Sequence, residues 1–484
     1  MAKTLKEKSI SALIWSTFDK VFCQITYAIS GIILANKLFP EDFGVIMIIT
    51  VFSAFITIFV DSGFNVALIQ HKETTDRDYQ SVFSFNLAIS ILLYTLLFFL
   101  APAISHYYDD IRLIPLSRVM FLTVIIQAFG LVQSSILMRE MKMKAVALAN
   151  MIPLLISGGT AIVLALIGLG IWTLVIQALV LASTRTLFLW IQNSWRPTFI
   201  FDWASLKKMY TTGKNIFLTS FTNTIFQSLY PLIIGSRYSL HQLGYYAQAD
   251  KWSRMGYISL LQAFGQFLLP SLSSIQDDKE RMKRVFGKTN RMAAYFIIPF
   301  FAALIVAAEP IFHIFFGTKW DSSIPLFQIL LVKGIFFVLV TLQNNYLIAR
   351  GKTRIVFYIE LVKNAIILIA IFVTVGISIP ALVIGQAVAA IIQYFIGIFV
   401  TARGTGYDVK RQLLDILPYM VISTAMCCLL MVFPMIIKND FLMLGTQIGV
   451  GGLFYFTVNK ALHSTIQQDV VQLVKDRMKN SFTR

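Results

Sequence analysis

The stretch LGYYAQADKWSRMGYISLLQAFGQFLLP, Leu243 to Pro270, decides the fold. Its length and apolar content suit a helix crossing a hydrocarbon core ~30 Å thick, yet Asp250, Lys251 and Arg254 lie inside it. A charge at a helix centre costs roughly 2.5 to 3.5 kcal/mol even on the lenient insertion scale, so a trio of them does not face lipid. On a 100° wheel Gln248, Lys251, Arg254, Ser259, Gln262 and Gln266 share an arc of about 140°. Asp250 stands one turn before Arg254, where the two can pair. The segment therefore reads as one wall of an aqueous cavity, with Lys251 and Arg254 turned into it.

The rest of the 484-residue chain has the same character, being 57% hydrophobic and 13% charged, with a mean hydropathy of +0.73. That composition excludes a soluble multidomain protein. Apolar runs recur from end to end, so the fold class is an all-α polytopic membrane protein with about fourteen transmembrane helices. The seventh and eighth of these cover residues 210–236 and 243–269. The N-terminus MAKTLKEKSISALIW has no cleavage site after its apolar stretch and reads as an uncleaved first span. Cys23, Cys427 and Cys428 offer neither a disulfide framework nor metal spacing. The histidines are scattered over loops and ends, so no metal site is expected.

An even number of spans puts both termini on one side, and charge says which. The loops HKETTDRD, REMKMK, WRPTFIFDWASLKK, QDDKERMKRVFGK, RGKTR and RGTGYDVKR lie with the termini and are basic. The opposite loops hold only Lys37, Arg112, Arg237, Lys319 and Lys438 of the 41 Lys and Arg. Both termini are thus expected in the cytoplasm by the positive-inside rule. The net charge of +17 is topology, and a nucleic-acid partner is excluded because the excess is spread over every inside loop. The outer loops are short, leaving no platform for the chemistry of a sugar polymerase. STIQQDVVQLVKDRMK, after the last span, puts Ile466, Val470, Leu473 and Val474 on one helical face, as in a helix lying on the inner membrane surface; a frayed tail is the alternative.

The chain also repeats. SGIILANKLFPEDFGVIMI from Ser30 aligns with YPLIIGSRYSLHQLGYYAQ from Tyr230, matching Lys37 to Arg237 and Gly44 to Gly244. QSSILMREMKMK from Gln133 aligns with QNNYLIARGKTR from Gln343. Each match joins corresponding spans, which implies two six-helix bundles in parallel repeat plus two C-terminal helices. The expected division is residues 1–192, 210–402, 412–460 for the extra pair and 461–484 for a cytoplasmic amphipathic tail. Such duplication is typical of alternating-access transporters with a site between the halves.

Nine cations lie within spans: Lys20, Arg118, Arg185, Lys214, Lys251, Arg254, Arg291, Lys333 and Lys363. They are accompanied by Asp19, Asp61, Asp250 and Glu360. Arg118, Arg185, Lys214 and Arg291 lie near membrane surfaces, where long side chains snorkel. The surplus suits an anion, and the candidate cavity residues are Lys20, Lys251, Arg254, Lys333, Lys363 and Arg291. Asp19, Asp250 and Glu360 are their charge partners, on the simplest reading of Lys20, Arg254 and Lys363 respectively. Span seven adds Asn215, Thr219, Asn223 and Gln227 at i, i+4 spacing, and span one adds Gln24 and Tyr27 beside Lys20. No phosphate-cradling loop, nucleophile elbow, HExxH or paired catalytic carboxylates occur, so no catalytic residue and no cofactor is expected.

The elements DSGF and ALIQ within Phe59 to Ser90, GLGIWTLVIQALV from Gly168 and LGYYAQADKW from Leu243 resemble the bacterial polysaccharide flippases, the Wzx-like members of the multidrug, oligosaccharidyl-lipid and polysaccharide exporter superfamily. The resemblance spans essentially the whole chain. It implies a V-shaped pair of bundles around a cationic cavity in the bacterial inner membrane. The function it implies is flipping of a polyprenyl-diphosphate-linked oligosaccharide to the outer leaflet, for assembly of O-antigen, capsule or exopolysaccharide. It also implies membrane lipid, a polysaccharide polymerase and chain-length machinery as partners, and coupling to protons, sodium or membrane potential. The rivals are a multidrug or cation antiporter of the same superfamily, which calls for an acidic, aromatic cavity, and a membrane glycan polymerase.

Overall fold

In hydrocarbon every backbone N–H and C=O must be satisfied within the segment, and among the described residues this chain meets that demand with helices alone. The computed structural model describes residues 5–71, 73–275 and 277–482. Contacts gather the chain into two compact units, residues 1–247 and 248–484. The first contains α1 (Leu5–Lys37), α2 (Pro40–Asp61), α3 (Phe64–Gln70), α4 (Asp76–Tyr108), α5 (Leu113–Met120), α6 (Leu122–Arg139), α7 (Met143–Ile167), α8 (Trp172–Gln192) and α9 (Trp203–Arg237). The boundary falls inside α10 (Leu240–Ser273). The second unit continues with α11 (Lys279–Val306), α12 (Ala308–Phe316), α13 (Ser323–Ala349), α14 (Thr353–Thr374), α15 (Ile379–Thr405), α16 (Val409–Leu414), α17 (Leu417–Leu430), α18 (Phe433–Ile436), α19 (Asp440–Ala461) and α20 (Thr465–Phe482).

Among the described residues, 12 segments are long and apolar enough to cross a membrane. The expected spans missing from that set are the seventh and eighth, α9 and α10. They have the length, 35 and 34 residues, but their polar stripes make them too hydrophilic for lipid on every side.

In the first unit, Phe64, Leu68, Val82, Phe83, Val132, Leu206 and Met209 form an apolar cluster joining α3, α4, α6 and α9. The α8–α9 connection folds back on the start of α4, where Gln80 Nε2 donates to Arg196 O and Thr198 N donates to Gln80 Oε1 at 2.6 Å. Asp202 then caps α9 by accepting from the backbone of Ala204 and Ser205. The Ser205 hydroxyl also donates to it, which holds the Asp202 carboxyl below its ordinary range.

Gly44 and Gly244, matched in the sequence repeat, touch one another's helices. A Cβ on Gly44 would fall on the carbonyl of Leu240, and one on Gly244 on the carbonyl of Pro40. The contact is reciprocal, because Pro40 and Leu240 are themselves a matched pair. The first turns of α2 and α10 therefore meet backbone to backbone, an approach that only glycine allows. Gly244→Val should cost roughly 1–3 kcal/mol by overpacking, read as a lower melting temperature in detergent. Gly449→Ala on α19, where a Cβ meets nothing within 4 Å, should leave melting unchanged.

In the second unit, Phe286 of α11 stacks on Tyr346 of α13, with centroids 4.3 Å apart. Tyr455 of α19 donates to the Tyr295 carbonyl at 2.9 Å, fixing the C-terminal pair to α11. The tail is a helix rather than a frayed end. Ile466 is buried, Gln467 Nε2 donates to Phe456 O at 3.0 Å, and Asp469 pairs with Lys288 at 2.6 Å. The Leu473 and Val474 side chains lie outside the described residues.

Candidate functional site

The helix that carries the opening stretch turns its second half onto α13. Tyr257 lies against Gly334, where a Cβ would come within 2.9 Å of its ring, and its ring centroid is 5.1 Å from that of Phe337. This packing puts Lys333, the neighbour of Gly334, within Coulombic reach of Asp250 and Arg254. Arg254 and Lys333 thus share the reach of a single carboxylate, that of Asp250.

The expected pair is formed: Arg254 Nε donates to Asp250 Oδ2 at 2.6 Å, with Asp250 4% exposed. The Arg254 side chain keeps 33% of its surface open. Lys251 follows Asp250 directly and so points elsewhere, since adjacent helical residues diverge by roughly 100°. Its ammonium lies 5.3 Å from the centre of the Trp252 ring. That indole donates to Gln248 Oε1 at 2.9 Å and packs on Phe316. Lys333 Nζ donates to Gln386 Oε1 of α15 at 2.8 Å, an uncharged acceptor. Gln386 is a site residue that the sequence reading missed, because nothing local marks a glutamine 53 positions away as a partner.

Two other candidates are paired away from this cluster. Lys363 pairs with Glu360 one turn earlier on α14, as expected, and Asn344 approaches the same carboxylate at 3.5 Å. Arg291 pairs with Asp415 at 2.7 Å, and Tyr407 donates to the other oxygen of that carboxylate. Asp415 is 7% exposed at the side chain. Arg291 thereby ties α11 to the α16–α17 corner.

In the first unit Lys20 is exposed, and Asp19 does not serve it. The expected Asp19–Lys20 pair fails because neighbours on a helix cannot face each other. Asp19 instead accepts from Asn150 Nδ2 at 2.9 Å and from Cys23 Sγ at 3.3 Å. Asn150 Oδ1 in turn accepts from Arg185 Nε at 3.2 Å. Arg185, expected to snorkel, also lines a cavity of about 200 Å³ with Asp61, Asn65, Gln127, Ser134 and Thr186. Asp61 Oδ1 there accepts from the Asn65 backbone at 3.1 Å.

Three spanning lysines, Lys20, Lys251 and Lys333, therefore have no carboxylate in an ion pair among the described residues, whereas Arg254, Lys363 and Arg291 do. An ammonium without a carboxylate is a strong hydrogen-bond donor for an anion that reaches it.

Comparison with known proteins gives these features a context. The profile of the family described as "Polysaccharide biosynthesis protein" matches residues 33–325. The succinoglycan biosynthesis transport protein ExoT of Rhizobium meliloti is 27% identical over 367 residues, covering 75% of this chain and 74% of that protein. The lipopolysaccharide biosynthesis protein WzxC of Escherichia coli is 23% identical over 405 residues, with 81% of each covered. Among solved structures, the lipid II flippase MurJ in an inward closed conformation superposes with a TM-score of 0.75 at 16% identity, covering 96% of this chain and 100% of that one. An inward-facing multidrug resistance MATE transporter gives 0.62 at 16% identity, covering 78% and 95%. At these identities the likeness to solved structures is one of fold.

Proposed function

The chain belongs to the polysaccharide biosynthesis protein family and is a multi-pass membrane protein; from that premise we propose that it is a flippase-type transporter that moves a polyprenyl-diphosphate-linked oligosaccharide from the cytoplasmic to the outer leaflet of the inner membrane. The observation that carries the reading is that three of the candidate lysines, Lys20 in the first unit and Lys251 and Lys333 in the second, have no carboxylate in an ion pair among the described residues. A diphosphate is the anion that such donors suit, while the prenyl chain stays in lipid. A cation antiporter is disfavoured by the same sign of charge. Both termini lie in the cytoplasm on this reading, which the distribution of basic loops supports.

Deleting the gene should reduce surface polymer, while lipid-linked oligosaccharide accumulates on the cytoplasmic leaflet. The assay is accessibility of the glycan to an impermeant oxidant or lectin in right-side-out and inverted vesicles. Units that reached the outer leaflet in normal amount but stayed unpolymerised would make the protein a polymerase instead.

A further inference from the structure

The cations account for a diphosphate but not for the sugars attached to it. We propose that the exposed face of α9, formed by Asn215, Thr219, Asn223 and Gln227, is the subsite that holds the neutral glycan. This rests on the function proposed above and extends it to the part of the substrate that differs between polymers.

The geometry starts from the opposite side of α9. Phe217 and Phe221 lie roughly 160° to 200° round the helix from Thr219 at ~100° per residue. Both rings close on Phe59 of α2, with centroids 5.5 and 5.4 Å away. A turn lower, Gly213 meets the backbone of Gly63, a residue at φ 74° that only glycine adopts without strain. These contacts fix the rotation of α9 about its axis. Asn215, Thr219, Asn223 and Gln227 consequently form an exposed row about 18 Å long at 1.5 Å per residue.

Hydrocarbon is the wrong neighbour for such a row, because an amide in lipid loses its hydrogen bonds with water. An anion is also the wrong occupant, since no charged residue lies between Asn215 and Tyr230. A neutral polyol fits both facts. The amides of Asn215 and Asn223 each carry a donor and an acceptor side by side, matching neighbouring sugar hydroxyls. The Thr219 hydroxyl gives its proton to the Asn215 carbonyl at 2.8 Å and keeps an oxygen that accepts.

The test is binding by the purified full-length protein to two probes. One is polyprenyl diphosphate without sugar; the other is lipid-linked oligosaccharide extracted from cells lacking the gene. Wild type should bind the sugar-bearing probe more tightly than the bare one. Asn223→Leu with Gln227→Leu should weaken the sugar-bearing probe about tenfold or more, and the isosteric Thr219→Val about threefold, with bare-probe affinity held within about twofold. Retained binding of the bare probe also reports a folded protein. Equal loss of both probes, no loss of either, or a wild type that does not distinguish the probes overturns the glycan subsite. A wild type that binds neither probe overturns the transport reading itself, and the subsite with it.

Discussion

Replacing Lys251 and Lys333 together by methionine is expected to abolish export while leaving the protein inserted at least as well as wild type. Both side chains lie within long helices, and neither has a carboxylate partner among the described residues. Methionine keeps the unbranched stem and removes the cost of placing a charge in the membrane, roughly 2.5 to 3.5 kcal/mol for each lysine. A structural role for these lysines predicts damage to folding. A substrate role predicts the reverse: greater stability, and loss of two charge-assisted hydrogen bonds worth ~1.5–3 kcal/mol each. That is a fall in transport on the order of a hundredfold or more. The checks are polymer at the cell surface, protein level in the membrane fraction, and melting in detergent. Normal export from the double variant would remove both lysines from the site.

The second large effect is expected at the Asp250–Arg254 pair, and it divides into two readouts. Arg254→Ala strands a carboxylate that is 4% exposed, a change that typically costs ~3–5 kcal/mol in a buried pair. The variant should therefore be scarce in the membrane as well as inactive. Asp250→Asn combined with Arg254→Gln removes both charges, so folding and insertion should return. On the proposed reading transport should not return, because the open third of the Arg254 side chain would be the part offered to the diphosphate. Recovery of transport together with folding would reduce Arg254 to a counter-charge for Asp250.

Much of this architecture was legible in the residues because a bilayer leaves a chain few options. Span lengths follow from hydrocarbon thickness, and the polar stripes of α9 and α10 follow from helical period alone. The Asp250–Arg254 and Glu360–Lys363 pairs were equally readable, being one turn apart on single helices. What the helical period does not carry is the partner across a bundle. Asp19 turns to Asn150, Arg291 to Asp415 and Lys333 to Gln386, at separations that no local pattern encodes. The repeat aligned Gly44 with Gly244, but their meeting face to face needed coordinates. Trp252 was passed over because an aromatic in a membrane helix ordinarily needs no explanation. Beside Lys251 it supplies a ring face to an ammonium that has no carboxylate in an ion pair among the described residues.

The most direct measurement is the leaflet position of the substrate in vesicles that contain only this protein. Purified wild type and the Lys251→Met, Lys333→Met variant would be reconstituted with polyprenyl-diphosphate-linked oligosaccharide confined to one leaflet, and the glycan reaching the other leaflet would be followed with an impermeant lectin, under imposed proton, sodium and potential gradients in turn. The account predicts that wild type transfers the glycan under at least one of these gradients, and that the variant stays at the level of protein-free vesicles. Transfer by both proteins alike, or by neither, would contradict it.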